Sequence, residues 1–217
     1  MGRVELQRSI TSVKDLQLLV NKAKNQRADA ICVPPFFVDT AAEMLGRNKI
    51  TIVTTAGQAQ DTIDTKLMGI ESAAKAGANE VVVSIAGANT LDEKWDYLEK
   101  ELFRAGQLAG IHNMMLWIGC GFAFLDQVKQ ARLCEILPRG LVGLRVRGAS
   151  VSDIQMASIG GVEGFCACFA YGIERGNSPP EQATLDTFTA AGATQFTLVD
   201  VPEQKKTDQV YVTEAKL

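Results

Sequence analysis

Short β-rich runs alternate with segments of helical spacing along the whole chain. The runs are Arg3–Gln7, Ala30–Val33, Lys49–Thr55, Glu80–Ile85, Met114–Cys120, Leu141–Arg147, Gly164–Ala170 and Gln195–Asp200. The segments with apolar residues at helical spacing include Ser12–Ala28, Thr62–Ala76, Leu91–Ala109, Leu125–Glu135 and Glu181–Ala191. Strands that alternate with helices in this way predict a parallel sheet built from strand–helix–strand units.

Several of the predicted strands, such as Ile50–Val53 and Val81–Val83, are almost continuously apolar. This is typical of parallel strands that are buried on both faces. Both a closed barrel and an open doubly wound sheet are consistent with this pattern of buried parallel strands. The open sheet normally carries a glycine-rich turn after its first strand, whereas Gln7–Ser9 follows here. We therefore predict a (β/α)8 TIM barrel.

Length and composition favour one domain, because 217 residues with 47% hydrophobic content can bury a single large core. Residues 1–200 are predicted to form the barrel. Residues 201–217 are polar and show no clear helical repeat, so we expect an atypical or missing final helix and a polar C-terminal tail. The N-caps expected from local chemistry are Ser12 and Asp92, and Pro179 and Pro180 fit the first turn of the last predicted helix.

Charge and hydropathy exclude some classes of partner. The net charge of −3 provides no basic field for nucleic acid, and no apolar run approaches the roughly 20 residues that cross a bilayer. The opening segment lacks the apolar core of a signal peptide, so we expect a cytoplasmic protein. An odd number of cysteines, five, predicts free thiols in a reducing compartment.

Two segments carry a resemblance to a known family. The run Ala28–Val38, which reads ADAICVPPFFV, resembles the second-strand segment of deoxyribose-phosphate aldolases, and Ala76–Val81 resembles their approach to strand four. The resemblance covers about residues 4 to 200. It implies a class I aldolase barrel, which is a carbon–carbon lyase, and it is compatible with a homodimer.

The resemblance also implies where catalytic residues should lie. The family uses a lysine on strand six that forms a Schiff base, a lysine on strand seven that lowers its pKa, and an aspartate on strand four. These positions fall on Arg145, Cys166 and Val82. A guanidinium stays protonated and is a poor nucleophile, and valine carries no proton. No lysine occurs between Gln130 and Gln204. The sequence therefore predicts no catalytic residues for the family's reaction.

Strand six carries two arginines on one face. Because side chains alternate along a strand, Arg145 and Arg147 are both expected to point into the barrel. One interpretation is a binding site for a small anionic ligand formed by Arg145, Arg147 and Asp200. The alternative is an internal ion-pair network in which Glu5, Glu174 or Asp200 neutralises the arginines.

The thiols also share a strand face, since Cys166 and Cys168 are two residues apart, and Cys32 and Cys120 are placed to approach them. A metal or redox site is one interpretation. Core packing is the other, and the spacing is not that of a zinc knuckle. The single His112 ends a helix on the far side from the active face. We therefore predict no metal and no cofactor.

Three hypotheses about function remain open at this point. The first is an aldolase relative that has lost its reaction and binds a ligand or a protein partner. The second is an enzyme with rebuilt chemistry on a small anionic substrate, either a carboxylate or a sugar-phosphate-like molecule. The third is that aldolase function is retained by descent, although a fold alone does not establish an activity.

Overall fold

The computed structural model describes residues 2–85, 94–138, 142–171 and 178–200. Its eight strands are β1 (Arg3–Arg8), β2 (Ala30–Cys32), β3 (Thr51–Thr55), β4 (Glu80–Ser84), β5 (Met115–Cys120), β6 (Val142–Arg147), β7 (Gly164–Tyr171) and β8 (Gln195–Asp200). All neighbouring strands are parallel, and β8 pairs with β1. The predicted TIM barrel is therefore confirmed, with strand boundaries within two residues of those predicted.

Helices in the described residues surround the barrel. They are α1 (Val13–Gln26), α2 (Val38–Leu45), α3 (Ile63–Lys75), α4 (Trp95–Ile111), α5 (Gln127–Ile136), α6 (Val151–Ile159) and α7 (Gln182–Ala191), with 3-10 turns at Pro35–Phe37 and Phe122–Phe124. The segments predicted to be helical did not include α2 and α6. These two helices have 8 and 9 residues, so each holds only about two turns of the apolar repeat.

The first residues of α1 and α7 can be compared with the N-caps and prolines predicted from the sequence. The Ser12 hydroxyl accepts a hydrogen bond from the backbone N–H of Asp15, which confirms Ser12 as the N-cap of α1. The prediction for Pro179 and Pro180 was wrong. Glu181 is extended, with ψ at 153°, so α7 begins only after it and both prolines precede the helix. Asp92 lies outside the described residues.

The core has two parts, which the strands separate. The larger part lies between the barrel and the helices, and side chains such as Val81, Ile118 and Phe165 fill it. The smaller part lies inside the barrel and consists of Ala30, Cys32, Val53, Val82, Trp117 and Cys166. Burial on both strand faces explains why the strands read as apolar runs.

Trp117 fills the N-terminal half of the barrel interior. Its ring has room because Gly143 and Gly164 lack side chains: a Cβ on Gly143 would lie 2.7 Å from the Trp117 ring. The indole N–H donates to Glu80 at 2.7 Å, and the Arg3 guanidinium donates to the same carboxylate at 2.6 Å. The Trp117 ring therefore occupies the interior beneath the C-terminal strand ends.

The end of the chain lies outside the described residues, which stop at Asp200. The predictions of an atypical final helix and a polar tail at 201–217 concern that segment and stay predictions. Across the ranges that the structure describes, no helix is both long enough and apolar enough to cross a membrane.

Candidate functional site: the barrel mouth

A cavity of about 400 Å³ opens at the C-terminal ends of the strands. Strand side chains that line it include Gln7, Cys32, Thr55, Val82, Ser84, Arg145, Arg147 and Cys168. We call this cavity the barrel mouth. TIM-barrel enzymes carry their active sites at this face, because the loops and strand ends that meet there can vary without disturbing the core.

A buried ion pair forms the floor of the barrel mouth. The Arg145 guanidinium donates to both oxygens of Glu5, from Nη1 to Oε2 at 2.9 Å and from Nη2 to Oε1 at 2.6 Å. Their side chains are only 9% and 0% exposed. Burial alone would lower the pKa of Arg145, but the Glu5 carboxylate raises that pKa well above its ordinary value. Arg145 is therefore a permanent cation that is already neutralised.

Three further side chains complete the network around this pair. Gln195 Nε2 donates to Glu5 at 2.9 Å, and the Thr197 hydroxyl donates to Glu5 at 3.3 Å. Arg145 Nη2 also donates to the side-chain oxygen of Gln7 at 3.3 Å. The Glu5 carboxylate thus accepts four hydrogen bonds, which is its full capacity. For Arg145, the ion-pair interpretation with Glu5 is confirmed.

Arg147 lies two residues further along β6, on the same inward face, and lines the barrel mouth. Its side chain is exposed. Among the described residues, no hydrogen bond or ion pair engages its guanidinium. Within the part of the chain that the structure describes, Arg147 is therefore an unpaired cation at the rim of the cavity. Glu174, which we had considered as a partner for the arginines, lies outside the described residues.

Asp200 does not join the two arginines. Its carboxylate pairs with Lys22 Nζ of α1 at 3.0 Å, on the outer side of the barrel. Thr197 points inward to Glu5, and Asp200, three residues further along β8, therefore points outward. The sequence analysis grouped Asp200 with Arg145 and Arg147, and the structure corrects this grouping.

The cysteines divide between the two parts of the core. Cys32, Cys166 and Cys168 lie together inside the barrel, as predicted. Cys120 packs with the outer core and also contributes to the lining of the barrel mouth, as Cys32 and Cys168 do. All five cysteines are free thiols. Within the described ranges, no group of three or more potential ligand side chains is arranged to hold a metal ion.

Burial and neighbouring groups separate the pKa values of the three inner thiols. Burial raises the pKa of Cys32 to about 12, and burial also raises the pKa of Cys166 well above its ordinary range. The pKa of Cys168 is lowered to about 7, with the neighbouring Cys166 side chain as the largest cause and the Arg145 charge adding to it, against the effect of burial, which raises the pKa. Among Cys32, Cys166 and Cys168, Cys168 therefore has the lowest pKa.

Lysine is missing from the described lining of the barrel mouth. Lys66 in α3 lies next to this lining, since its ammonium donates to the carbonyl of Ala59, which itself lines the cavity. That ammonium is bound to Glu101 of α4 at 2.5 Å, and both side chains are 1% exposed. Lys66 is therefore held between two helices behind the cavity wall.

Comparison with known proteins places this barrel in a family. The model of the DeoC/LacD family aldolases matches residues 2–123, which is more than half of the chain. The chain belongs to the DeoC/LacD aldolase family.

Two deoxyribose-phosphate aldolases are similar in sequence. The one from Clostridioides difficile is 25% identical over 158 residues, 69% of this chain and 71% of that protein. The one from a Thermoanaerobacter species is 31% identical over 152 residues, which are 65% of this chain and 68% of that protein.

A solved structure supports the fold. The tetrameric deoxyribose phosphate aldolase from Aeropyrum pernix superposes on this structure with a TM-score of 0.70 at 15% sequence identity. The superposition covers 90% of this chain and 84% of the Aeropyrum pernix chain. At this identity the likeness concerns the DeoC/LacD barrel architecture, and the arrangement of the barrel mouth must be argued from this chain's own side chains.

The three positions that the resemblance assigned to catalysis lie close together in this DeoC/LacD barrel. Val82 and Arg145 line the barrel mouth. Cys166 lies just beneath, fully buried, with its sulfur 3.1 Å from the Thr197 hydroxyl. Their correspondence to the family's aspartate and lysines remains a prediction from the sequence.

Sequence reasoning missed most of the polar network under the cavity. Gln7, Gln195 and Thr197 were not singled out, although all three contact the Glu5–Arg145 pair. A signal was present on β1, where polar residues at Arg3, Glu5 and Gln7 alternate with Val4 and Leu6. Polar residues with a period of two on an otherwise buried strand indicate a polar interior.

Proposed function

We propose that this protein binds a small anionic molecule at the barrel mouth and does not carry out the Schiff-base aldol reaction of its relatives. The observation that supports it best is the bidentate bond between Arg145 and Glu5, in a cavity whose described lining contains no lysine. The two parts of this proposal are the loss of the Schiff-base reaction and the binding of an anion at the barrel mouth.

The loss of the Schiff-base reaction follows from what an imine requires. A neutral primary amine must reach the substrate carbonyl. Arg145 cannot supply one, because a guanidinium stays protonated and is delocalised. Lys66 has a primary amine, but Glu101 binds its ammonium away from the cavity. Val82 also offers no group that could transfer a proton at the mouth.

The preference for an anion comes from Arg147. Because Glu5 neutralises Arg145, the exposed Arg147 is the cation that gives the described lining its net positive charge. A volume of about 400 Å³ suits a small metabolite, since ligand pockets commonly measure roughly 300–1,000 Å³. A carboxylate or phosphate group can accept two parallel hydrogen bonds from a guanidinium. We therefore expect a small carboxylate or phosphate ester as the ligand.

A second candidate is an enzyme with rebuilt chemistry on such an anion. The position of the cavity supports it, because this face of a TIM barrel hosts many unrelated reactions. We also infer a cytoplasmic location, which five free thiols support. A homodimer or another protein partner remains an expectation from the sequence.

Titration of the protein with inorganic phosphate and with small carboxylates, followed by calorimetry or NMR, tests the anion site. Arg147→Gln should weaken binding by about tenfold or more, since hydrogen bonds to charged groups contribute about 1.5–3 kcal/mol. Arg47→Gln is the matched control, because this exposed arginine lies beyond the C-terminal end of α2, away from the mouth. Unchanged binding in Arg147→Gln, or an equal loss in Arg47→Gln, would contradict the proposal.

A further inference from the structure

The side of the barrel mouth next to Arg147 is apolar. Arg147 is the last residue of β6, and β5 is the strand that pairs with β6 on this side. Apart from Ser84, the described residues that β4, β5 and the turns after them contribute to the lining are Val82, Ile85, Gly119, Cys120, Gly121 and Phe124. We call these residues the apolar wall. A ligand group that lies against this wall meets mainly apolar side chains and backbone.

Two glycines leave space along the apolar wall. Gly119 lies two residues after Trp117 on β5, so its position faces the barrel interior. A Cβ at Gly119 would lie 3.4 Å from Val82 Cγ1, and a Cβ at Gly121 would lie 3.5 Å from the Phe124 ring. These are contact distances, so a side chain at either position would fill the space beside Val82 or Phe124. With glycine at both positions, that space belongs to the cavity.

Phe124 has a fixed place at the cavity rim, although it is 84% exposed. Its backbone N–H donates to the carbonyl of Gly121 at 2.9 Å and closes the 3-10 turn. Phe122 in the same turn is fully buried, packs edge to face on Phe165, and accepts a hydrogen bond from Gln130 Nε2 at 3.0 Å through its carbonyl. The turn is therefore anchored in the core, and the Phe124 ring lies at the mouth.

The setting of Phe124 distinguishes it from other exposed apolar residues. A single exposed phenylalanine is ordinary on a protein surface. Phe124, however, shares one cavity with the exposed cation Arg147 and with the apolar wall. Ligand pockets commonly combine a mostly apolar lining with a few polar groups that orient the ligand. The described lining has this composition.

We infer that the barrel mouth takes an organic anion that carries a planar apolar group, such as an aryl carboxylate. Arg147 binds the anionic group, and the ring lies along the apolar wall against Phe124, since aromatic rings pack favourably on one another. Sugar hydroxyls in the same place would lose their hydrogen bonds to water without replacement. The anionic end of the ligand rests on the proposed function above, whereas the apolar end rests on the wall.

Titration of the protein with phenylacetate and with acetate, followed by NMR, tests the apolar end. Phenylacetate should bind at least ~10-fold more tightly, because its ring leaves water at the wall. Phe124→Ala should remove most of this preference and leave acetate binding unchanged. Phe36→Ala is the matched control, because Phe36 is also 84% exposed on a 3-10 turn but is not part of the described lining. Equal affinities for the two acids, or an equal loss in Phe36→Ala, would overturn the inference.

Phenylacetamide, the neutral counterpart of phenylacetate, tests the anionic end separately. It should bind about tenfold or more weakly than phenylacetate, and Arg147→Gln should abolish the difference. Equal binding of the two compounds that still depends on Phe124 would overturn the proposed anion site and leave the apolar wall standing. Acetate binding through Arg147 without any gain from the phenyl group would overturn the aryl ligand alone. Tighter binding of ribose 5-phosphate than of phenyl phosphate would also overturn this ligand class.

Discussion

Arg145 and Glu5 are bound to each other by two hydrogen bonds of 2.6 and 2.9 Å inside the barrel, although 140 residues separate them in the chain. The pair joins β6 to β1 across the interior and forms the floor of the cavity. It holds a cation where the resemblance to aldolases implies a reactive lysine. The same contact therefore bears on the stability of the barrel and on the chemistry of its mouth.

Arg145→Gln should destabilise the protein strongly. The substitution leaves the Glu5 carboxylate buried without its counter-charge, and breaking a buried ion pair in this way costs about 3–5 kcal/mol. The free energy of unfolding in urea measures the effect. The double variant Glu5→Gln/Arg145→Gln should lose less than the sum of the two single variants, because no buried charge remains in it.

Arg147→Gln is the control for this measurement, since it removes the same charge from an exposed side chain two residues away. Its cost should stay within about 0.5 kcal/mol. Equal losses for Arg145→Gln and Arg147→Gln would show that the Glu5–Arg145 pair does not stabilise the barrel.

Lys66→Met should also be costly. The variant keeps an unbranched side chain but leaves Glu101 buried and unpaired between α3 and α4, so we expect a loss of about 3–5 kcal/mol. The double variant Lys66→Met/Glu101→Leu should recover most of it. Lys75→Met, on the exposed pair with Glu71, should cost less than about 1 kcal/mol. Thermal or urea unfolding of the three variants is the measurement, and a cost for Lys66→Met as small as that for Lys75→Met would refute this account.

Alkaline pH should destabilise the barrel through its buried thiols. Burial raises the pKa of Cys32 and of Cys120 from 9.0 to about 12. A group whose pKa is raised on folding contributes stability that is complete below its unfolded pKa, here 9, and is lost as the pH rises toward the folded value. Each thiol should therefore remove up to about 1.4 kcal/mol of unfolding free energy per pH unit between pH 9 and 12.

Cys120→Ala isolates one of the two contributions. Unfolding free energies at pH 8 and pH 10 should differ less in this variant than in the unsubstituted protein. An identical pH dependence in the two proteins would mean that Cys120 ionises as readily in the folded state as in the unfolded chain.

The barrel itself could be predicted from the sequence because burial on both strand faces and the alternation of strands with helices are local patterns. The faces of individual strands were predicted less well. The sequence analysis grouped Asp200 with two inward arginines, yet Asp200 lies three residues after the inward Thr197, and an odd separation places it on the opposite face. Counting from one fixed residue on the strand would have avoided this error.

Contacts between distant segments could not be predicted in the same way. Glu5 was one of three candidate partners for Arg145, and only the closure of β1 against β8 selects it. The pairing of Lys66 with Glu101 depends on how α3 packs against α4, which no local pattern indicates. Similarly, the difference between Cys168 and Cys32 arises from a neighbouring thiol and from burial, and both require the folded barrel.

Incubation with deoxyribose 5-phosphate and sodium borohydride, followed by intact-mass and peptide analysis, tests the central claim most directly. A deoxyribose-phosphate aldolase such as the one from Clostridioides difficile serves as the positive control. This protein should show neither cleavage of the sugar phosphate nor a reduced adduct on any lysine, because we propose that Arg145 occupies the position that the resemblance assigns to the reactive lysine. Measurable cleavage, or a trapped adduct on Lys66 or any other lysine, would contradict the claim that imine chemistry has been lost.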